Sequence, residues 1–247
     1  MSLADRYAAH LIGVCARQPV LPVVADPVSG AIVAGETPPE IEADLRLAEA
    51  SFRSITGNRG SLEWRSAIEL PGNYLIEQAR AADLVVVGRR GIGDLKLASF
   101  AANPGDIVLR AGRPILVVPP DWGHLSATRI VIGWKDTREA RRAVFDALPF
   151  LATALGVYVT AVGEAALGGG ARDVVDFLRR RGVKAQTVLN EKSDEPASDE
   201  IFEVAAFCNA DLIVAGAYGR GRLREWVFGG VTHDLLQRTP VPCLISH

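Results

Sequence analysis

The chain has 247 residues, 49% apolar and 23% charged, an ordinary composition for a folded protein and enough chain to bury a core without metal or disulfide staples. The formal net charge of −2 argues against a nucleic-acid-binding domain, which is usually basic. Three scattered cysteines, Cys15, Cys208 and Cys243, and four scattered histidines form no CxxC pair and no metal-ligand spacing, so neither a disulfide framework nor a metal centre is expected.

In chain order, residues 2–10 read as the later part of a helix. Residues 7–16 resemble the apolar part of a signal peptide, but Asp5 cancels Arg6 and His10 interrupts the run. The reading is therefore a buried strand at 11–15. A long Gly/Pro/Val-rich loop, 18–38, leads to a helix at 38–55 and a strand at 62–70. Asn73 is the expected N-cap of a helix at 73–82. A strand at 83–88, a helix at 104–111, a strand at 115–118 and a linker at 119–126 follow. The next strand is 129–134, rich in β-branched residues. Residues 136–155 place Ala140, Val144, Ala147, Leu148 and Leu151 at helical spacing, with Asp136 and Glu139 as a capping box. Then come a strand at 157–162, a helix at 171–181 ending at Gly182, and a strand at 183–189. A helix at 197–209, a strand at 211–216, a helix at 231–238 and a strand at 241–246 complete the chain. The longest apolar stretch, 154–162, is about half of what a spanning helix needs. No membrane span and a cytoplasmic location are expected.

The alternation of strands and helices predicts parallel strands with right-handed crossovers in an open α/β sheet. The chain also repeats itself at a constant spacing of 128 residues. Residues 82–88 (ADLVVVG) align with 210–216 (ADLIVAG), and the register holds ungapped through Gly91/Gly219, Phe100/Phe228, Asp106/Asp234, Pro114/Pro242 and Leu116/Leu244. Two copies of one unit are therefore expected, at 1–119 and 127–247. The first lacks the opening strand and the start of the first helix. The sole methionine, Met1, accordingly suggests a chain that starts late, by an assigned start inside the gene or by truncation.

In the second copy, Gly216 ends a strand, Gly219 follows after two residues, and Gly229-Gly230 after nine more, just before a helix. Glycines let backbone N–H groups approach a phosphate, and the helix N-terminus adds partial positive charge. Arg220, Arg222 and Arg224 make the loop basic. In an open α/β sheet such a loop lies beyond the carboxyl ends of the strands, where ligands bind.

The run 210–219, with Gly229-Gly230-Val231 and the closing 240–245 (PVPCLI), resembles a universal stress protein domain. The resemblance extends over nearly all of both copies. It implies a tandem protein with two doubly wound parallel-sheet α/β domains of the adenine-nucleotide alpha-hydrolase-like type. Many members of that family bind ATP through a Gly-x2-Gly-x9-Gly-Ser/Thr loop and an Asp after the first strand; others bind no nucleotide. Carried over, Gly216, Gly219 and Gly229 match. Gly230 stands where Ser or Thr is expected, and Val231 opens the following helix. Lys135 replaces the Asp, with Asp136 one residue later as its substitute or as a helix cap. In the first copy Gly88 and Gly91 match, Ala101 and Ala102 replace the later Gly and Ser/Thr, and Pro104 has no N–H to offer.

The candidate nucleotide site is therefore Gly216, Gly219, Gly229, Gly230, Val231, Lys135 and Asp136, with ATP the cofactor the resemblance implies. Cys243 aligns with Ile115 and reads as a core thiol rather than a nucleophile; His233, aligned with Gly105, reads as a surface residue. Tyr218 covers the loop or stacks on a base, Trp226 and Phe228 anchor it, and 191–200 is a solvated acidic turn. No catalytic triad or carboxylate dyad stands out. The leading expectation is a non-catalytic stress-response protein whose second copy takes an adenine nucleotide. The alternatives are a nucleotide-hydrolysing or phosphate-transferring enzyme and an interaction scaffold without ligand. The resemblance also implies an intrachain pseudo-dimer through the final strands, 115–118 and 241–246, with a further homodimer compatible with it.

Overall fold

The computed structural model describes residues 2–19, 23–26, 31–33, 38–57, 60–89, 102–120, 122–168, 170–192, 194–219 and 230–247. They fall into two compact units. The first takes those up to Arg80 together with Ala102 and Asn103; the second takes 81–89 and everything from Pro104 onward.

The first unit runs α1 (Ser2–Arg6), β1 (Leu11–Ala16), β2 (Val23–Asp26), β3 (Ala31–Val33), α2 (Pro38–Thr56), β4 (Leu62–Ala67) and α3 (Pro71–Gln78). β1 and β4 pair in parallel, Leu11 opposite Leu62 and Ala16 opposite Ala67. α2 buries Ile41 and Leu45, one helical turn apart, and its Phe52 ring lies 5.3 Å from that of Trp64. Gly13 makes room for this pair: a Cβ there would lie 2.6 Å from Trp64. Two expectations are corrected. The expected buried strand at 11–15 is only half-buried, because among the described residues β1 pairs with β4 alone. The helix expected from Asn73 begins at Pro71, whose fixed φ suits the first helical position, with Leu70 at the N-cap. Within the loop expected at 18–38, β2 and β3 form an antiparallel pair.

The second unit runs β5 (Val85–Gly88), α4 (Pro104–Arg110), β6 (Ile115–Val118), β7 (Arg129–Gly133), α5 (Arg138–Asp146), α6 (Leu148–Leu151), β8 (Gly156–Val162), α7 (Glu164–Leu167), α8 (Gly170–Arg179), β9 (Ala185–Asn190), α9 (Ala197–Phe207), β10 (Leu212–Gly216), α10 (Gly230–Arg238) and β11 (Cys243–Ser246). Its strands form one seven-stranded sheet in the order β5-β6-β11-β10-β7-β8-β9. Every neighbouring pair is parallel except β6 and β11, which run antiparallel with Ile115 opposite Ile245 and Leu116 opposite Leu244. The chain leaves β7 for β8 and β9 on one side and returns to β10 and β11 on the other. Right-handed crossovers place α5 and α8 on one face and α9 and α10 on the other.

The core is aliphatic and lies along the sheet: Ile115, Leu116, Ile130, Ile132, Leu212, Ile213 and Leu244 are almost completely enclosed. The helix expected over 136–155 is two pieces, broken at Ala147. Pro149 has no N–H to continue the ladder, and the Phe145 carbonyl is taken by the Ala147 N–H instead. Gly182, at φ 78°, ends the turn after α8, and the Val183 N–H returns to the Leu178 carbonyl at 3.2 Å. Asp211 ties the linker to β10 by accepting from the Thr128 and Arg129 N–H groups at 2.9 and 3.0 Å and from the Thr128 hydroxyl at 3.0 Å. No helix among the described residues is long and apolar enough to cross a membrane.

Candidate functional site

In the second unit β7, β8 and β10 are parallel, so their carboxyl ends lie at one edge of the sheet. The strand order reverses between β7 and β10, the position where open α/β sheets hold ligands. Each of the three strand ends contributes a different chemistry.

After β7 come Trp134, Lys135 and Asp136. The Trp134 N–H donates to the Thr160 carbonyl at 2.7 Å, and its ring is buried. The N-cap of α5 is Thr137, whose hydroxyl accepts from the Ala140 N–H at 3.3 Å. Asp136 is therefore not the cap. Its carboxylate instead accepts from the Arg141 guanidinium at 2.6 and 3.1 Å. An open cleft of about 260 Å³ lies between these residues and the end of β8, lined by Trp134, Lys135, Asp136, Glu164 and Gly170 among others. The Trp134 Nε1 is enclosed without a hydrogen-bond partner. A Cβ at Gly170, the first residue of α8, would lie 3.1 Å from it.

After β10, Gly216 lies against the first turn of α5. A Cβ there would lie 2.6 Å from the Glu139 carbonyl carbon and closer still to the Ala140 N. Its small size is thus required by the helix behind it. The Ala217 N–H donates to the Ser246 carbonyl at 2.8 Å, and the Tyr218 N–H to the Thr232 hydroxyl at 3.3 Å. Those two donors are turned inward. Tyr218 takes a left-handed backbone, φ 55°, and its ring meets that of His247 edge-on. Burial, and then the Asp106 charge, push its hydroxyl up to about 12, so it stays protonated. A Cβ at Gly219 would lie 3.1 Å from the Thr137 methyl and 3.6 Å from the Glu139 Oε2.

Glu139 itself is almost completely buried, at 1% exposure. Its Oε1 accepts from Arg138, and its Oε2 has no hydrogen-bond partner. Burial pushes its carboxyl up. Arg138, its own backbone N–H and the Thr137 hydroxyl outweigh this and hold it below the usual carboxylate range.

Among the expected site residues, Lys135 and Asp136 come together at the cleft. Gly216 and Gly219 sit against the start of α5. Gly230, exposed, and Val231, half-buried, open α10. Gly229, Arg220, Arg222, Arg224, Trp226 and Phe228, like Gly91 and Ala101 in the first copy, lie outside the described residues. In that copy β5 ends at Gly88, α4 starts at Pro104, and the Arg89 guanidinium donates to the Gln237 carbonyl at 2.6 Å. Cys243 is fully buried, and burial pushes its thiol far up, which leaves no thiolate for nucleophilic chemistry.

Sequence reasoning passes over Trp134, Glu164, Gly170 and Thr232, and reads Glu139 only as a capping residue. Trp134 and Glu164 carry a weak signal: Trp134 closes one predicted strand and Glu164 lies two residues past another. Glu139 carries none, because an acidic residue in a first helical turn is ordinary.

The fold defines a mixed α/β protein with a mostly parallel seven-stranded sheet and an open cleft after β7 and β8, next to its switch point. Residues 127–247 match the model of the Universal stress protein family. A universal stress protein of Synechocystis is 26% identical over 174 residues, 66% of this chain and 57% of that relative. The chain thus spans little more than half of that relative's length. Among solved structures, a universal stress protein from Archaeoglobus fulgidus superposes with a TM-score of 0.64 at 15% identity, over 84% of this chain and 77% of the other. A protein of unknown function from Pseudomonas aeruginosa superposes with a TM-score of 0.60 at 16% identity, over 99% of this chain and 84% of the other.

Proposed function

We propose that the chain is a non-catalytic stress-response protein made of two universal stress protein copies, cytoplasmic, whose second copy takes an adenine nucleotide such as ATP. The observation that carries this reading is an open cleft after β7 and β8 at the same carboxyl edge of the sheet as the Gly216–Gly219 turn after β10. The base and ribose would enter the cleft beside Trp134, with its unpartnered N–H, and Asp136. The phosphates would point toward Gly219 and the start of α10, whose first turn the Thr232 hydroxyl holds against the turn. Lys135, where the resemblance implies an Asp, brings a cation to the ligand instead of a carboxylate. The antiparallel pairing of β6 with β11 supports reading the two copies as an intrachain pseudo-dimer.

Isothermal titration calorimetry tests this directly. ATP added to the purified chain should give saturable heat, and Gly219→Val, which sets a branched side chain against Thr137 and Glu139, should remove it. No heat at millimolar ATP and millimolar adenosine would discard the nucleotide reading. Phosphate release above background in the same samples would overturn the non-catalytic one.

A further inference from the structure

The buried carboxylate of Glu139 lies behind the turn toward which the ligand's negative charge would point. α5 is nine residues long and its first turn faces Gly216 and Gly219. A helix start of this kind ordinarily offers its partial positive charge to a bound anion. Here the chain supplies that anion itself. One carboxylate oxygen is held by Arg138; the other is enclosed, without a partner, 3.6 Å from the position a Cβ on Gly219 would take. The donors that a phosphate would need are also reduced, since the Ala217 and Tyr218 N–H groups are turned inward to Ser246 and Thr232. A phosphate brought to this turn would face a like charge in an enclosed setting, where water screens it poorly.

We propose that Glu139 is a specificity-determining residue. It sets its own carboxylate directly behind the glycine turn and so biases the site against polyphosphate-bearing ligands relative to the nucleoside alone. The proposal rests on the placement of the ligand given above. It adds that the site's ordinary preference for triphosphate is opposed from within, by a residue on the helix behind the turn rather than on the turn itself.

The test compares the wild-type chain with Glu139→Gln, which keeps the side-chain size and removes the charge, and with Glu139→Met, which removes both charge and polarity. Each is titrated with ATP, adenosine and inorganic tripolyphosphate, after thermal unfolding has established that it is folded. The ratio of ATP to adenosine affinity should rise at least about tenfold in the folded variants, as expected on removing a like charge at short range. Tripolyphosphate should bind them more tightly than the wild type. A ratio that stays level or falls overturns the proposal. If adenosine and ATP bind neither form, the nucleotide reading fails by itself, and tripolyphosphate decides about Glu139: tighter binding to Glu139→Gln or Glu139→Met upholds its role, and equal or absent binding overturns it.

Discussion

Gly216 illustrates how one residue answers to two demands. As the last residue of β10 it opens the glycine loop, and from the sequence its small size is explained by a phosphate. The first turn of α5 occupies the space where its Cβ would be, so the same residue is needed for packing whether or not a ligand is present. Gly216→Ala should therefore destabilise the chain by about 1–3 kcal/mol in urea unfolding without ligand. A wild-type midpoint would mean that α5 yields easily. Glu139 makes a second residue-scale prediction. Its carboxyl is held below the ordinary range, so its ionised form stabilises the fold fully above the unfolded value of about 4.3. That contribution is lost as pH falls through the lowered folded value. The stability difference between pH 7 and pH 3 should be smaller in Glu139→Gln than in the wild type; an equal difference would show that Glu139 contributes nothing to acid sensitivity.

Among the elements, the strand pair β6 and β11 joins β5 and β6 to the rest of the seven-stranded sheet. Ile115 and Ile245 stand opposite each other, both fully buried. A double-mutant cycle with Ile115→Val and Ile245→Val should give a coupling energy of about 0.5 kcal/mol or more. Additive effects would argue against direct pairing. Element types were legible because apolar periodicity and turn residues are local properties. The strand expected at 115–118 is found there unchanged, and the helix at 197–209 is shortened only at its end. The errors are local too, and each has a local cause. Pro149 divides a helix whose apolar spacing continues past it, and Pro71 starts a helix two residues before the polar side chain expected to cap it. The site was legible as a loop, because glycine spacing marks it. Its contents were not, because Trp134, Glu164 and Gly170 come from three separate segments.

For the molecule as a whole, the consequential feature is β7. It lies between β10 and β8 and joins them into one sheet. Among the described residues β1 and β4 form a two-stranded sheet, while β5 and β6 continue the seven-stranded one. The division into compact units runs after Arg80 and again after Asn103. The described residues of the first unit are mostly half-buried or exposed, whereas β6, β7, β10 and β11 are buried along most of their length. Amide hydrogen exchange should therefore be faster in β1 and β4 than in β7, β10 and β11. Equal protection would indicate that the two-stranded sheet is held by more than its own pairing.

The amino-acid order alone shows that a motif recurs at a spacing of 128 residues and that strands alternate with helices, since spacing and composition are legible along the chain itself. Which strands share a sheet, why Gly216 has no room for a side chain, and that a carboxylate stands behind the glycine turn are settled only by folding. Each depends on groups that are distant along the chain and meet through parallel crossovers, and no local pattern records that meeting.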